Sequence, residues 1–343
     1  VDQADDFGRG VAALGDLDGD GIGDIAVGAS RDDDGGADRG AAWILFLNRD
    51  GSVRAHQKIS DTEGAFSGIL DDGDAFGWAV GGLGDVDGDG IADMSVGAPY
   101  DDDGGTDRGA LWILLLRANG RVKAQQKISA TKGEFAGELD DDDLFGLATA
   151  GLGDLGGDDR IAVAAGAPQD DDFGHDRGAC WILTLEATGM VAVHRKISAA
   201  SGVGSPLQPW DYFGSSIAVL DDLDGDGFRD LAVGAIRDDD GGTSSEAEVG
   251  AVWILGLGDT TTTTELATTT STLPTPLCGD ANGDGTIAAT DALIVLRTAV
   301  GTATCEPCVC DADASGAITA ADALRLLRAG VGEPVVRDCP PCG

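Results

Sequence analysis

The sequence predicts an all-β propeller joined by an extended linker to a small helical module, and three observations carry that reading. Phe7-Gly8, Phe76-Gly77, Phe145-Gly146 and Phe213-Gly214 recur at intervals of 68 or 69 residues. Each pair opens a unit of four short runs, β-branched and aromatic, separated by turns rich in Gly and Asp. A carboxylate-rich loop of constant spacing lies between the first and second runs. Repeated units of four antiparallel strands are the pattern of propeller blades, which bury their faces against one another.

In the first unit the runs are Val11 to Leu14, Asp24 to Ala29, Ala41 to Leu47 and Val53 to Ser60. The first loop carries Asp16, Asp18, Asp20 and Asp24 at relative positions 1, 3, 5 and 9, with Gly21 at position 6 for the tight turn and the carbonyl of Ile22 at position 7. Asp85, Asp87, Asp89, Ile91 and Asp93 repeat it, as do Asp222, Asp224, Asp226, Phe228 and Asp230. Such a set offers the oxygen ligands of a calcium cage. The third copy keeps Asp154 and Asp158 but has Gly156 and Ala162 at positions 3 and 9, with Arg160 nearby, so it is expected to be weak or empty. Trp43, Trp112, Trp181 and Trp253 share one place in third strands with no polar alternation, as inter-blade core residues would.

The net charge of −39 among 343 residues excludes nucleic acid and anionic membranes as natural partners and favours cations and basic proteins. No apolar run reaches the roughly 18 residues that span a bilayer. The chain starts without Met or a signal peptide, as a mature form or a fragment would. Six of the seven cysteines fall in the last 66 residues. With the calcium cages, they point outside the cell.

The units resemble FG-GAP repeats, the propeller blades of integrin alpha chains and of many secreted bacterial proteins. The matching residues are the Phe-Gly pairs, the aspartate cages, Gly97-Ala98-Pro99 and Gly166-Ala167-Pro168, and the Gly-Ala-x-Trp-Ile-Leu strands. The resemblance covers residues 1–258 and implies a propeller with calcium in hairpin loops between first and second strands. Integrin-like propellers have seven blades. Here the fourth unit ends at its third strand, Ala251 to Leu257, so upstream blades are expected in the natural protein.

Alternating strand direction puts the cages and the third-to-fourth turns on one rim. The other rim gathers Asp32 to Asp34, Asp71, Asp72, Asp74, Asp101 to Asp103, Asp140 to Asp143, Asp170 to Asp172 and Asp238 to Asp240. The plain reading is a solvated face; further cation binding or a basic partner are the alternatives.

Residues 259–277 form a Thr/Pro-rich linker that buries no core, as a plain spacer or an O-glycosylated stalk. Residues 278–343 then repeat with a period of 31. Asp280, Asn282, Asp284, Thr286 and Asp291 make one twelve-residue calcium loop, and Asp311, Asp313, Ser315, Ala317 and Asp322 make its second copy. Each opens a helix with an apolar face, Leu293, Leu296 and Val300 in one and Leu324, Leu327 and Val331 in the other. Asp replaces the usual Glu at position 12, and no helix pattern precedes either loop, so an ordinary EF-hand fits poorly. The paired loop-helix units resemble a type I dockerin, whose partner is a cohesin. The resemblance assigns partner reading to Ala289, Thr290, Ala320 and Ala321, with Arg297 and Arg328 following. Cys278, Cys305, Cys308, Cys310, Cys339 and Cys342 bracket the loops, as disulfides or as zinc ligands, with fifteen disulfide connectivities open. Cys180 reads as an inert core thiol.

His56 and His194 fall at one place in fourth strands and His175 stands in an acidic loop, with no nucleophile motif beside it, so no catalytic residue is assigned. The expected function is a secreted, calcium-loaded binding, adhesion or display module, with about three ions in the propeller and two in the dockerin. Its partners would be a cohesin and a protein or glycan ligand. An enzyme or accessory component of polysaccharide breakdown and a calcium-stabilised structural surface protein are the rival readings.

Overall fold

The computed structural model describes residues 4–172, 174–200, 207–239, 250–258, 318, 319 and 323–325. The chain divides into two compact units, Val1–Thr270 and Ser271–Gly343. In the second, the described residues include a helical segment over 323–325, where the Ala323 N–H donates to the Thr319 carbonyl.

Among the described residues, the first unit holds fifteen strands in four antiparallel sheets. Blade 1 is β1 (Phe7–Gly15), β2 (Asp24–Ala29), β3 (Ala41–Leu47) and β4 (Val53–Ile59). Blade 2 is β5 (Val80–Gly84), β6 (Asp93–Ala98), β7 (Ala110–Leu116) and β8 (Val122–Ile128). Blade 3 is β9 (Ala148–Asp154), β10 (Ile161–Ala167), β11 (Ala179–Leu185) and β12 (Val191–Ser198). Blade 4 is β13 (Phe213–Val219), β14 (Leu231–Ala235) and β15 (Ala251–Leu255). Within each sheet the strands lie in chain order. The first strands β1, β5, β9 and β13 pack on one another in series and form the inner wall.

Three apolar cores lie between the blades. Ala26, Ile44 and Phe46 of blade 1 meet Met94, Trp112 and Leu114 of blade 2. Leu111, Ile113 and Leu115, on the other side of β7, meet Val163, Trp181 and Leu183 of blade 3. Ala164, Cys180 and Ile182 meet Val233, Trp253 and Leu255 of blade 4. The uninterrupted apolar third strand is thus explained for β7, buried along its whole length. In β3 and β15 burial alternates, because one face of the first blade and one of the fourth are uncovered. Phe7 is 42% exposed, whereas Phe76, Phe145 and Phe213 are fully buried.

The seam between blades is a backbone contact. A Cβ on Gly28, Gly97 or Gly166 would fall on the carbonyl oxygen of Gly77, Gly146 or Gly214, the glycine of the next Phe-Gly pair. Each pair is also bridged to the loop before the preceding blade's third strand: the Phe76 N–H donates to the Arg39 carbonyl at 2.9 Å, Phe145 to Arg108 and Phe213 to Arg177 at 3.0 Å. The phenylalanine ring then turns edge-on to its own blade's tryptophan, at 6.4 Å between centroids for Phe76 and Trp112.

Gly97→Ala is therefore expected to destabilise the protein by about 1–3 kcal/mol, the cost of overpacking. Gly23→Ala, at a site with no heavy atom within 4 Å of the added carbon, should be close to neutral. Chemical denaturation of the two variants checks the contrast.

Candidate metal centres

Each candidate centre is the hairpin loop between a blade's first and second strands. The position-1 carboxylate closes it: Asp16 Oδ2 accepts the Gly21 N–H at 2.8 Å, Asp85 Oδ2 that of Gly90 at 2.7 Å and Asp222 Oδ2 that of Gly227 at 2.9 Å. Those glycines have φ of 83°, 86° and 93°, a left-handed turn that suits glycine. The position-9 carboxylate is buried and ties the loop down. Asp24 accepts the N–H groups of Leu17 and Leu47 at 3.2 and 3.1 Å, and Asp93 those of Val86 and Leu116, both at 2.8 Å. Asp230 accepts that of Leu223 at 2.8 Å.

Carboxylate oxygens of Asp16, Asp18 and Asp24 lie within 4.8 Å of one another, as do those of Asp85, Asp87 and Asp93 and those of Asp222, Asp224 and Asp226. Asp87 Oδ1 and Asp230 Oδ1 are buried without a hydrogen-bond partner. A buried carboxylate oxygen lacking a donor is costly, and a cation relieves it. The all-oxygen donor set suits a hard cation. Burial pushes the Asp93 carboxyl up to about 7 and raises that of Asp24.

Asp20 and Asp89 stand outside the blade 1 and 2 trios and pair with a basic residue of the fourth strand. Arg54 Nη2 is 2.5 Å from Asp18 Oδ2 and 2.8 Å from Asp20 Oδ2. Lys123 Nζ is 2.6 Å from Asp87 Oδ2 and also pairs with Asp89, whose carboxyl it holds below the usual range. The N–H groups of Ile22, Ile91 and Phe228 donate to Asp20, Asp89 and Asp226 at 2.9, 2.9 and 2.8 Å.

The third loop is organised otherwise. Asp154 accepts four backbone N–H groups, from Gly156, Gly157 and Asp158 on Oδ1 and from Asp159 on Oδ2. Slight burial works to raise its pKa, but these donors outweigh it and hold the carboxyl below the usual range. Arg160 sits 3.1 Å from Glu186. No acidic trio forms here among the described residues.

The opposite rim departs from the solvated face expected of it. Asp32, Asp101, Asp170 and Asp238, which open their runs, are buried, as are Asp74 and Asp143, which close theirs, while Asp33, Asp71, Asp102, Asp140 and Asp171 face solvent. Lys58 Nζ is 2.7 Å from Asp32 and 2.6 Å from Asp34, Lys127 is 2.5 Å from Asp101 and 2.8 Å from Asp103, and Lys196 pairs with Asp170 and Asp172. Each ammonium also stands over its blade's tryptophan, 5.5, 5.5 and 5.2 Å from the ring centroids of Trp43, Trp112 and Trp181. The one sequence signal for this arrangement is the lysine repeated in the Lys-Ile-Ser of three fourth strands. Buried Asp74 and Asp143 complete two of the clusters. Burial, then the Asp101 carboxylate, pushes Asp74 up to about 7, and burial with Asp170 pushes Asp143 up to about 8.

Among the histidines, His56 and His194 lie against Trp43 and Trp181, at 5.3 and 5.7 Å, and His175 stacks on Trp210. Cys180 is a buried free thiol, pushed up to about 12 by burial. Asp280, Asn282, Asp284, Thr286, Asp291, Asp311, Asp313, Ser315, Ala317 and Asp322, and the six C-terminal cysteines, lie outside the described residues.

Blades of this construction with acidic first hairpins define a repeat propeller, and the comparisons specify which. The FG-GAP repeat model matches residues 7–45, 76–114 and 213–255, leaving the third unit unmatched, and the Dockerin type I domain model matches residues 278–329. Integrin alpha-V of Gallus gallus is 31% identical over 229 residues, 65% of this chain and 19% of the relative. Integrin alpha-6 of Homo sapiens is 30% identical over 239 residues, 68% and 17% respectively, and integrin alpha-4 of Xenopus laevis 33% over 160 residues, 45% and 14%. The matched segment spans less than a fifth of each of these relatives. The chain carries FG-GAP repeats homologous to those of integrin alpha chains, with a type I dockerin domain at its C-terminal end.

The raised carboxyls of Asp74 and Asp143 set a pH dependence. Their folded pKa values exceed the unfolded value of 3.8, so the stability they contribute is full below it and is lost as pH rises through about 7 and 8. Asp74→Asn with Asp143→Asn should flatten the decline of stability from about pH 4 to about pH 9 and leave the variant the more stable at the alkaline end. Thermal melts across that range check it.

Proposed function

We propose that the chain is an extracellular, calcium-loaded propeller that works as a binding or adhesion module, tethered through its dockerin to a cohesin-type partner. The observation that carries this reading is the presence, on one chain, of FG-GAP blades with clustered carboxylates and a type I dockerin domain. A dockerin is an attachment device, so the propeller is the part being displayed. Domain limits of 1–258, 259–277 and 278–343 fit this division of labour.

Calcium would be held by Asp16, Asp18 and Asp24 in blade 1, Asp85, Asp87 and Asp93 in blade 2, and Asp222, Asp224 and Asp226 in blade 4. The neighbouring Asp20, Asp89 and Asp230 and the carbonyls of Ile22, Ile91 and Phe228 would complete the shells. The third loop needs no ion, because Asp154 is already satisfied by backbone donors. Two further ions belong to the dockerin loops.

Calorimetric titration of the protein should count three tight ions in the propeller. Asp87→Ala should remove one and Asp158→Ala none. Arg54 and Lys123 are tethered cations that share the cage carboxylates with the metal. Arg54→Gln and Lys123→Gln should therefore tighten calcium binding while lowering stability in chelator. Asp93 must be ionised to ligate, and burial holds it near 7, so calcium affinity of the second cage should weaken as pH falls through that value. Unchanged affinity in both Gln variants would remove the competing role from the two cations.

The tether is tested by capture on an immobilised type I cohesin. Capture should require calcium and should be lost when Asp280 and Asp311 are both replaced by Ala. Calcium-independent capture, or none, would sink the attachment reading.

A further inference from the structure

The inner wall of the blades opens into a cavity of about 540 Å³, lined by residues from all four first strands and from the loops around them. The size is that of a small-molecule or short-oligomer site. Its lining contradicts the composition of the protein. The chain carries 61 acidic residues, yet among the described residues no carboxylate lines this cavity, and the charged residue that does is Arg9. Three rings, from Trp78, Tyr100 and Tyr212, face it together with the amide of Gln169 and the hydroxyl of Ser216. Trp78 is T-shaped to Tyr100 at 5.4 Å, and the Arg9 guanidinium lies 3.7 Å from the centre of the Trp78 ring.

A second observation points to the same place. Trp210 has φ of 75° and is 50% exposed. It stands three residues before a Phe-Gly pair, where the preceding junctions have Gly73 and Asp142, also left-handed at 97° and 72°. A bulky side chain in this region is strained, which glycine avoids. The exposed indole stacks on His175 at 5.5 Å and 13°, while the Trp210 backbone N–H donates to the His175 carbonyl at 2.9 Å, as Gly73 does to Ala37 and Asp142 to Thr106. His175 replaces Ala37 and Thr106 of the earlier blades. Tyr212, two residues from Trp210, lines the cavity while its hydroxyl donates to Asp176, beside His175, at 3.3 Å.

We propose that the cavity and the Trp210–His175 platform form one binding site for a neutral oligosaccharide. The inference rests on the reading of the propeller as a binding module and names its ligand class. The charge balance selects among ligands. A strongly acidic protein repels phosphates and polyanions, and a cavity whose described lining carries an arginine and no carboxylate disfavours a basic peptide. An uncharged polyol escapes both penalties. Its axial C–H faces stack on the exposed indole and the inner rings, and its hydroxyls exchange water for Gln169, Ser216 and the Arg9 N–H groups. A chain of sugar rings has the extended shape needed to reach from the cavity to the platform. No bond is made or broken.

The test uses the full calcium-loaded chain and isothermal titration with β-1,4-linked gluco-, xylo- and mannohexaose, and with an oligolysine peptide as the charged control. Trp210→Gly restores the residue of the first junction, so it relieves backbone strain and keeps the fold. At least one hexasaccharide should bind, Trp210→Gly should weaken it about tenfold or more, and Gln169→Ala should weaken it independently. Calcium titration and cohesin capture of the same variants should be unchanged. If no hexasaccharide binds while calcium and cohesin binding persist, the oligosaccharide site is overturned and the tethered-module reading stands. Loss of cohesin capture in the unmodified chain would instead overturn that reading. Binding that ignores both substitutions, or oligolysine binding abolished by Trp210→Gly, would also overturn the site.

Discussion

Everything in the first unit depends on how closely two backbones can approach. Where one blade meets the next, the glycine of its second strand lies against the carbonyl of the following Phe-Gly pair, with no room for a side chain. That contact sets the distance between sheets and lets the phenylalanine reach its tryptophan. It also brings the apolar sides of two β-sheets within packing range. The inter-blade cores supply the free energy, but the glycine seam decides the geometry in which they form. A repeat protein needs such a fixed joint, since each unit touches only its neighbours.

The two rims solve one electrostatic problem in different ways. Both gather aspartates at a density that would repel if left alone. On the hairpin rim the carboxylates are drawn around backbone N–H groups and converge in trios that a divalent ion would satisfy. On the other rim Asp32, Asp101 and Asp170 sink beside lysines held over indoles. The first arrangement gathers negative charge that a cation would balance, and the second balances it with a lysine of the same chain.

Spacing made much of this legible. The blades were readable because they follow from local periodicity, and the acidic hairpins because their residues lie within nine positions of one another, though the first strand, read as Val11 to Leu14, runs over Phe7–Gly15. The pairing of Lys127 with Asp101 spans 26 residues and that of Lys123 with Asp87 spans 36. Such pairs become visible only when the fourth strand is laid beside the loops. For the same reason the acidic runs read as solvent-facing while their first members are internal. Trp210 was overlooked because its meaning lies in a backbone angle. The apolar third strands of blades 1 and 4 read as doubly buried, which holds only where a sheet has a neighbour on each side.

The third hairpin carries a consequence for how such an array diversifies. Its shape comes from Asp154 and four backbone donors, and its blade packs on both neighbours through the same cores and seams as the others. The acidic trio is thus a property of a single hairpin, separable from the architecture that surrounds it. A lineage building on this plan is free to gain or lose such trios one blade at a time without redrawing the molecule itself.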